Sequence, residues 1–231
     1  MPAKIATRRL FAGAFSPRSI PGLTPWLKAD AGAGLADGDP VGTWTDQNGV
    51  MHATQATAAN KPTYKTAILN GLPIVRFDGV DDQLTTPSYP VALPYPYTVL
   101  IVFKNTIFKD YNVICNDLTT HNAQGLHGNS ANIYLYNGSA ALVGITTSAF
   151  KLLYIEWNGA NSKYAVNGAA LSGPVDPGTM RPTLSGLSIG AETFFYPLAG
   201  DIAEVLVYNS ALSTANKAAL ETYLNSKWAL Y

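Results

Sequence analysis

Residues 200–231 constrain the fold more than any other part of the chain. They read GDIAEVLVYNSALSTANKAALETYLNSKWALY. The first half alternates, with Ile202, Glu204, Leu206 and Tyr208 set one way and Ala203, Val205 and Val207 the other. Both sides are apolar, with Glu204 as the one charge among them, which predicts a strand buried on both faces. A turn at Asn209-Ser210 follows, with Ser213 placed to cap a short helix. Leu220, Tyr223, Leu224 and Trp228 then fall on one helical stripe. A core strand therefore feeds a single terminal helix, which packs its apolar side back on the fold.

The rest of the chain reads as strands. Short strand-like runs recur about every ten residues from 26–29 to 202–208. Turn chemistry separates them at Asp78-Gly79, Asn137-Gly138, Asn158-Gly159, Asn167-Gly168 and Pro177-Gly178. Asn167-Gly168 is the best two-residue hairpin signal, and it predicts a three-stranded meander over 151–171. Many short strands and one helix imply an all-β fold, a two-sheet antiparallel sandwich with one short C-terminal helix.

Several segments carry a resemblance in a fixed order: WLKAD at 26–30, VGTWTDQNG at 41–49, HATQAT at 52–57, KPTY at 61–64 and NGLPIVRFDGVDDQL at 70–84. Together with the terminal strand and helix, these resemble the concanavalin A-like, laminin-G-like jelly-roll domains of phage virion proteins and bacterial secreted proteins. The resemblance covers 21–231 and implies one jelly-roll domain. Trp26, Trp44, Trp157 and Trp228 are then core residues. This fold hosts lectins, hydrolases, lyases and packing modules, so function has to be argued from sites.

The chain has 231 residues, 47% hydrophobic and 13% charged, with a formal net charge of zero. One sizeable core is within reach. Nothing in the bulk charge points to nucleic acid or an anionic membrane. No run approaches the about 18 apolar residues of a membrane-spanning helix. Cys115 is the single cysteine, in the apolar run 112–115, and reads as a buried structural thiol. Residues 1–28 hold Lys4, Arg8, Arg9, Arg18 and Lys28 and no acidic residue. Pro17 and Pro21 break any amphipathic helix there. Residues 1–20 are therefore expected to be an extended basic anchoring arm, with Lys4, Arg8, Arg9 and Arg18 as its contacts and a neighbouring protein as its partner.

Asp78, Asp81 and Asp82 cluster in a turn after a strand. Oxygen ligands on a turn suit calcium, and Asp side chains equally cap backbone N–H groups there; the resemblance favours the second use. Related jelly rolls hold a structural calcium near their terminal strands, which marks Asp30, Asp201 and Glu204 as a second candidate metal set. No cofactor is required. The two-carboxylate strand motif of related glucanases is missing, since no Glu-x-Asp occurs. His52, His121 and His127 show no metal spacing. The expectation is a chain that is not an enzyme.

Sugar binding needs aromatic faces and planar polar side chains. Two regions have both: His121, Asn122, Gln124, His127, Asn129, Asn132, Tyr134 and Tyr136 in one, and Phe194, Phe195 and Tyr196 in a loop. Tyr89, Tyr95 and Tyr97 form a third aromatic group. The expected function is a virion-surface structural protein, a capsid decoration or tail-associated adhesin, assembled in the host cytoplasm with its arm on other virion proteins. Host or environmental glycans are its candidate ligands, and a homo-oligomer fits the setting. The alternative is a free extracellular lectin module.

Overall fold

A computed structural model describes residues 15–32, 34–107, 112–118, 125–129, 132–144, 149–192 and 196–231. In chain order the strands are β1 (Leu23–Lys28), β2 (Thr43–Trp44), β3 (Ala53–Thr54), β4 (Thr63–Leu69), β5 (Leu72–Asp78), β6 (Leu84–Thr85), β7 (Leu93–Pro94), β8 (Tyr97–Ile107) and β9 (Asn112–Asn116). They continue as β10 (Gly125–Asn129), β11 (Asn132–Tyr136), β12 (Ala140–Leu142), β13 (Lys151–Trp157), β14 (Ser162–Val166), β15 (Ser172–Val175), β16 (Thr183–Leu184), β17 (Ser188–Ile189) and β18 (Ala199–Tyr208). One helix, α1 (Thr214–Trp228), closes the chain.

Two sheets pack face to face. The first runs β15-β14-β13-β8-β18-β5-β4, with β1 also on β18. The second runs β12-β11-β10-β9-β17-β6-β3-β2, and β7 and β16 form a small separate pair. The ladders are antiparallel. The fold is an all-β sandwich with one C-terminal helix, as the pattern of short strands predicts.

The long strand β18 organises the first sheet. All of its residues are buried. One face joins the core between the sheets through Ile202, Val205 and Val207. The other joins a second core under the helix through Ala203, Leu206 and Tyr208. This differs from simple alternation. Ile202 pairs with Phe103 and Glu204 with Val102, so β18 spends two residues where β8 spends one. That bulge at Ala203 turns Glu204 to the helix side, away from Ile202.

The helix is held as its sequence predicts. The Ser213 hydroxyl accepts from the Asn216 N–H at 3.2 Å, and Leu220, Leu224 and Trp228 are fully buried. All four tryptophans are buried. The expected meander forms as β13, β14 and β15, but its third strand begins only at Ser172, past the predicted 151–171. Its Asn167-Gly168 turn has φ of 49° and 73°, a left-handed pair closed by the Ala169 N–H on the Val166 carbonyl at 3.0 Å, although residues 167–171 separate β14 from β15.

Packing begins at the first described residue. Phe15 lies 6.1 Å from the Tyr223 ring, and Ile20 is buried in the helix-side core. The Tyr208 hydroxyl donates to the Pro17 carbonyl at 3.0 Å. Arg18 donates to the Gln47 carbonyl and stacks its guanidinium 5.5 Å from the Trp26 ring. Residues 15–20 are thus part of the sandwich, and Arg18 binds its own domain. Lys4, Arg8 and Arg9 lie outside the described residues. Among the described residues, no helix is long and apolar enough to cross a membrane.

Candidate functional site

The second sheet carries a row of polar residues in register. Strand alternation puts Trp44, Ala53, Leu84, Ile189, Cys115, Leu126 and Leu135 in the inter-sheet core. Their neighbours face outward, except Asn116, which lines a small cavity in that core. In register, these form a row across the whole sheet. Thr43 pairs with Thr54, Thr54 with Thr85, Thr85 with Ser188, and Ser188 with Asn116. The row continues from Asn116 to Gly125, from Gly125 to Tyr136, and ends at Ala140.

A groove of about 440 Å³ opens on this row, lined by Thr54, Gln55, Gln83, Thr85, Leu118 and Ser188 among others. None of its lining residues carries a formal charge. Hydrogen bonds hold the amides in place. Gln83 Nε2 donates to Ser188 Oγ at 2.6 Å, and that hydroxyl donates to the Ala191 carbonyl at 2.6 Å. Gln55 Nε2 donates to the Gln83 carbonyl at 3.0 Å, while Gln55 Oε1 accepts from the Thr57 N–H at 3.0 Å. Such a surface presents fixed, neutral donors and acceptors to a ligand rich in hydroxyls.

A second line of register partners crosses the same sheet. Leu142 pairs with Tyr134, Tyr134 with His127, and His127 with Val113. The Val113 N–H then donates to the Tyr196 carbonyl at 2.8 Å. That bond ties the Tyr196 backbone to β9, the neighbour of β10. Asn132, Tyr134 and Tyr136 are half-buried, flanking the buried Ile133 and Leu135. Tyr196 is 46% exposed with φ of 55°. His127 and Asn129 occupy β10. His121, Asn122, Gln124, Phe194 and Phe195 fall outside the described residues. Tyr89 and Tyr97 are buried in the inter-sheet core, and Tyr95 packs against it.

The carboxylates are held by other groups. Glu204 is fully buried. Its Oε1 accepts from Trp26 Nε1 at 2.6 Å and the Tyr223 hydroxyl at 3.1 Å. Its Oε2 accepts from Trp228 Nε1 and Lys227 Nζ, both at 2.8 Å. Lys227 also binds Asp30 at 2.7 Å. Asp201 takes a separate partner, the Arg76 guanidinium, through two bonds of 2.7 and 3.0 Å. The structure thus brings Asp30 and Glu204 to one ammonium and gives Asp201 to a guanidinium.

In the Asp78-Gly79 turn, oxygens of Asp78, Asp81 and Asp82 lie within 4.8 Å of one another. Asp82 accepts the Asp78 N–H at 2.8 Å and Asp78 accepts the Val80 N–H at 2.8 Å, the capping use of these side chains. Burial, reinforced by the charges of Asp78 and Asp81, pushes the Asp82 carboxyl up to about 6. Gly79 has φ of 78° and sits against Ala199, where a Cβ would come within 2.7 Å. Cys115 is buried and free, and burial raises its thiol to about 12. His52 Nδ1 accepts the Asp46 N–H at 3.1 Å, an ordinary loop contact.

The sequence matches no known family model and no curated protein. Solved structures do match. The Trypanosoma rangeli sialidase superposes with a TM-score of 0.63 at 16% identity, over 89% of this chain and 33% of the sialidase. The same sialidase in complex with sialic acid matches with the same score and coverage. The botulinum neurotoxin serotype D ligand binding domain in complex with N-acetylneuraminic acid matches with a TM-score of 0.62 at 13% identity, over 87% of this chain and 51% of that one. The chain thus spans about a third of the sialidase and half of the neurotoxin fragment. At these identities the likeness is one of fold.

That likeness corrects the expectation that the chain is not an enzyme. The expectation rested on a missing carboxylate pair, yet an enzyme is among the proteins that share this fold. Glycoside hydrolysis also has routes without that pair, such as the tyrosine nucleophile of sialidases. The absent Glu-x-Asp motif therefore does not set this chain apart from enzymes.

Proposed function

We propose that the chain is a glycan-binding module of concanavalin A-like type, with sugar lying along the outer face of its second sheet. The observation that carries this is the uncharged groove of about 440 Å³ where Gln55, Gln83, Thr85 and Ser188 converge. Sugar hydroxyls pair with planar amides and hydroxyls, and the C–H face of a pyranose stacks on aromatic rings. Tyr136 lies three strands from Ser188 along the row, or about 14 Å. Groove and aromatic end together fit a short oligosaccharide. The sialic acid complexes of two proteins sharing the fold lend the reading support. A glycan array probed with the full chain tests it. A specific hit supports glycan binding; silence across neutral and acidic glycans refutes it.

The proposed setting is the surface of a virus particle, with residues 1–14 as the attachment segment; a free secreted lectin is the alternative. Support for the particle setting is the basic composition at Lys4, Arg8 and Arg9. Deleting residues 1–14 should abolish incorporation into particles without changing thermal unfolding. Unchanged incorporation rules out that attachment.

A further inference from the structure

We propose that the inter-sheet core binds one ordered water, held between the Asn116 carboxamide and the Tyr97 hydroxyl. The site lies apart from the groove and does not depend on the glycan-binding reading. Three buried polar atoms carry it. Asn116 Nδ2, Asn116 Oδ1 and the Tyr97 hydroxyl have no hydrogen-bond partner among the described residues. Their residues are 1% and 0% exposed. Buried polar groups are almost always paired, with protein or with ordered water, because an unpaired one in an apolar core is costly. Both side chains line one small cavity, walled also by Leu126, Ile155, Trp157 and Leu187. A water centre has about 10 Å³ of room in it, the space of a single water.

The backbone explains why an amide reaches the core here. From Leu126 to His127, β10 advances one residue while β9 goes from Cys115 to Val113. Ile114 is the extra residue of that bulge, and both it and Cys115 enter the inter-sheet core. Strict alternation is lost along β9, and Asn116 lines the same cavity as its neighbour Cys115. Tyr97 comes from the facing sheet, at the start of β8. Its ring stacks with those of Tyr95 and Trp157, at centroid distances of 6.0 and 6.3 Å, which holds the hydroxyl in place. Burial raises the pKa of that hydroxyl, and the charges of Tyr95, Asp117 and Cys115 push the same way. Asp117 and Cys115 stand on either side of Asn116 in the chain, so the hydroxyl lies on the Asn116 side of the core. One water bridges the two groups whichever way the amide is turned, donating to Oδ1 or accepting from Nδ2. The hydroxyl is its second partner, which gives the two or more bonds typical of a buried water.

High-resolution crystallography of the wild-type chain reads the site directly. A single spherical density peak should lie about 2.7–3.2 Å from both the Asn116 carboxamide and the Tyr97 oxygen. Asn116→Leu replaces the amide with an apolar group of similar size, and the peak should vanish from that variant's structure. In solution, water–protein NOE spectra of the wild-type chain should show a long-lived water at the Asn116 side-chain amide protons, a readout that stands even if the variant fails to fold. A dry cavity, a direct hydrogen bond between Tyr97 and Asn116, or a peak that survives Asn116→Leu would each overturn the proposal.

Discussion

The Glu204 carboxylate, on the long central strand, accepts the indole N–H of Trp228, on the terminal helix, at 2.8 Å. The same carboxylate binds Trp26, Tyr223 and Lys227. A single buried charge thus ties the first strand, the central strand and the helix together. Two donors converge on each of its oxygens, so the buried carboxylate is fully hydrogen-bonded. Glu204→Gln keeps the shape but turns an amide N–H toward other donors. It should cost about 3–5 kcal/mol, read as a melting temperature lower by on the order of 10 °C. A shift of a degree or two would show that packing alone holds the helix.

Asp201 depends in the same way on Arg76. The carboxylate is fully buried while the guanidinium is 41% exposed. Arg76→Leu should strand a buried charge and cost about 3 kcal/mol in urea unfolding, and adding Asp201→Asn should recover most of it. Equal stabilities of the single and double variants would mean that the pair is not coupled.

Stability should also depend on Asp82. Its folded carboxyl titrates near 6, above the ordinary value of 3.8. The folded state therefore holds this proton more tightly than the unfolded chain. Stability from this group is greatest below about pH 4 and declines as pH rises to about 6, by on the order of 2–3 kcal/mol. Other carboxylates, such as Asp37 with its pKa lowered by Lys65, act in the opposite direction at lower pH. Comparing Asp82→Asn with wild type isolates the effect: the variant should lack the decline between pH 4 and 6. Parallel stability curves for the two proteins would refute it.

Cys115 gives a simple chemical check. Its thiol is buried and raised to about 12, so almost no thiolate exists at pH 8. A thiol-specific disulfide reagent should react only at the rate of unfolding and stoichiometrically in denaturant. Reaction within seconds on the native chain would place the sulfur at the surface.

Much of the sandwich was legible in the sequence because its cues were local. The strand-like apolar run at 151–157, the Asn167-Gly168 turn and the Ser213 cap each act within a few residues, and each is present in the fold. The bulge at Ala203 was not legible, since it depends on how β18 registers against β8 rather than on β18 alone. The groove was the larger omission. It is built on β3, β6 and β17, strands of two residues each, too short for any periodic signal. Gln83 and Ser188 meet across 105 positions of sequence. Gln55 and Gln83 did lie in the segments that carry the family resemblance, and paired planar amides there were the one available hint. The tyrosines at 134 and 136 were legible as an outward pair because Ile133 and Leu135 between them had to face the core.

The most direct test of the proposed function blocks the groove in place. Thr85 is half-buried on the outer face and lines the groove, so Thr85→Tyr should fill it with little effect on folding. Thr222→Tyr, on the exposed side of the helix, is the control. For a glycan identified on the array, calorimetric titration should show binding abolished by Thr85→Tyr and unchanged by Thr222→Tyr. Equal affinity of Thr85→Tyr and wild type, with both folded, would contradict a binding site on the second sheet.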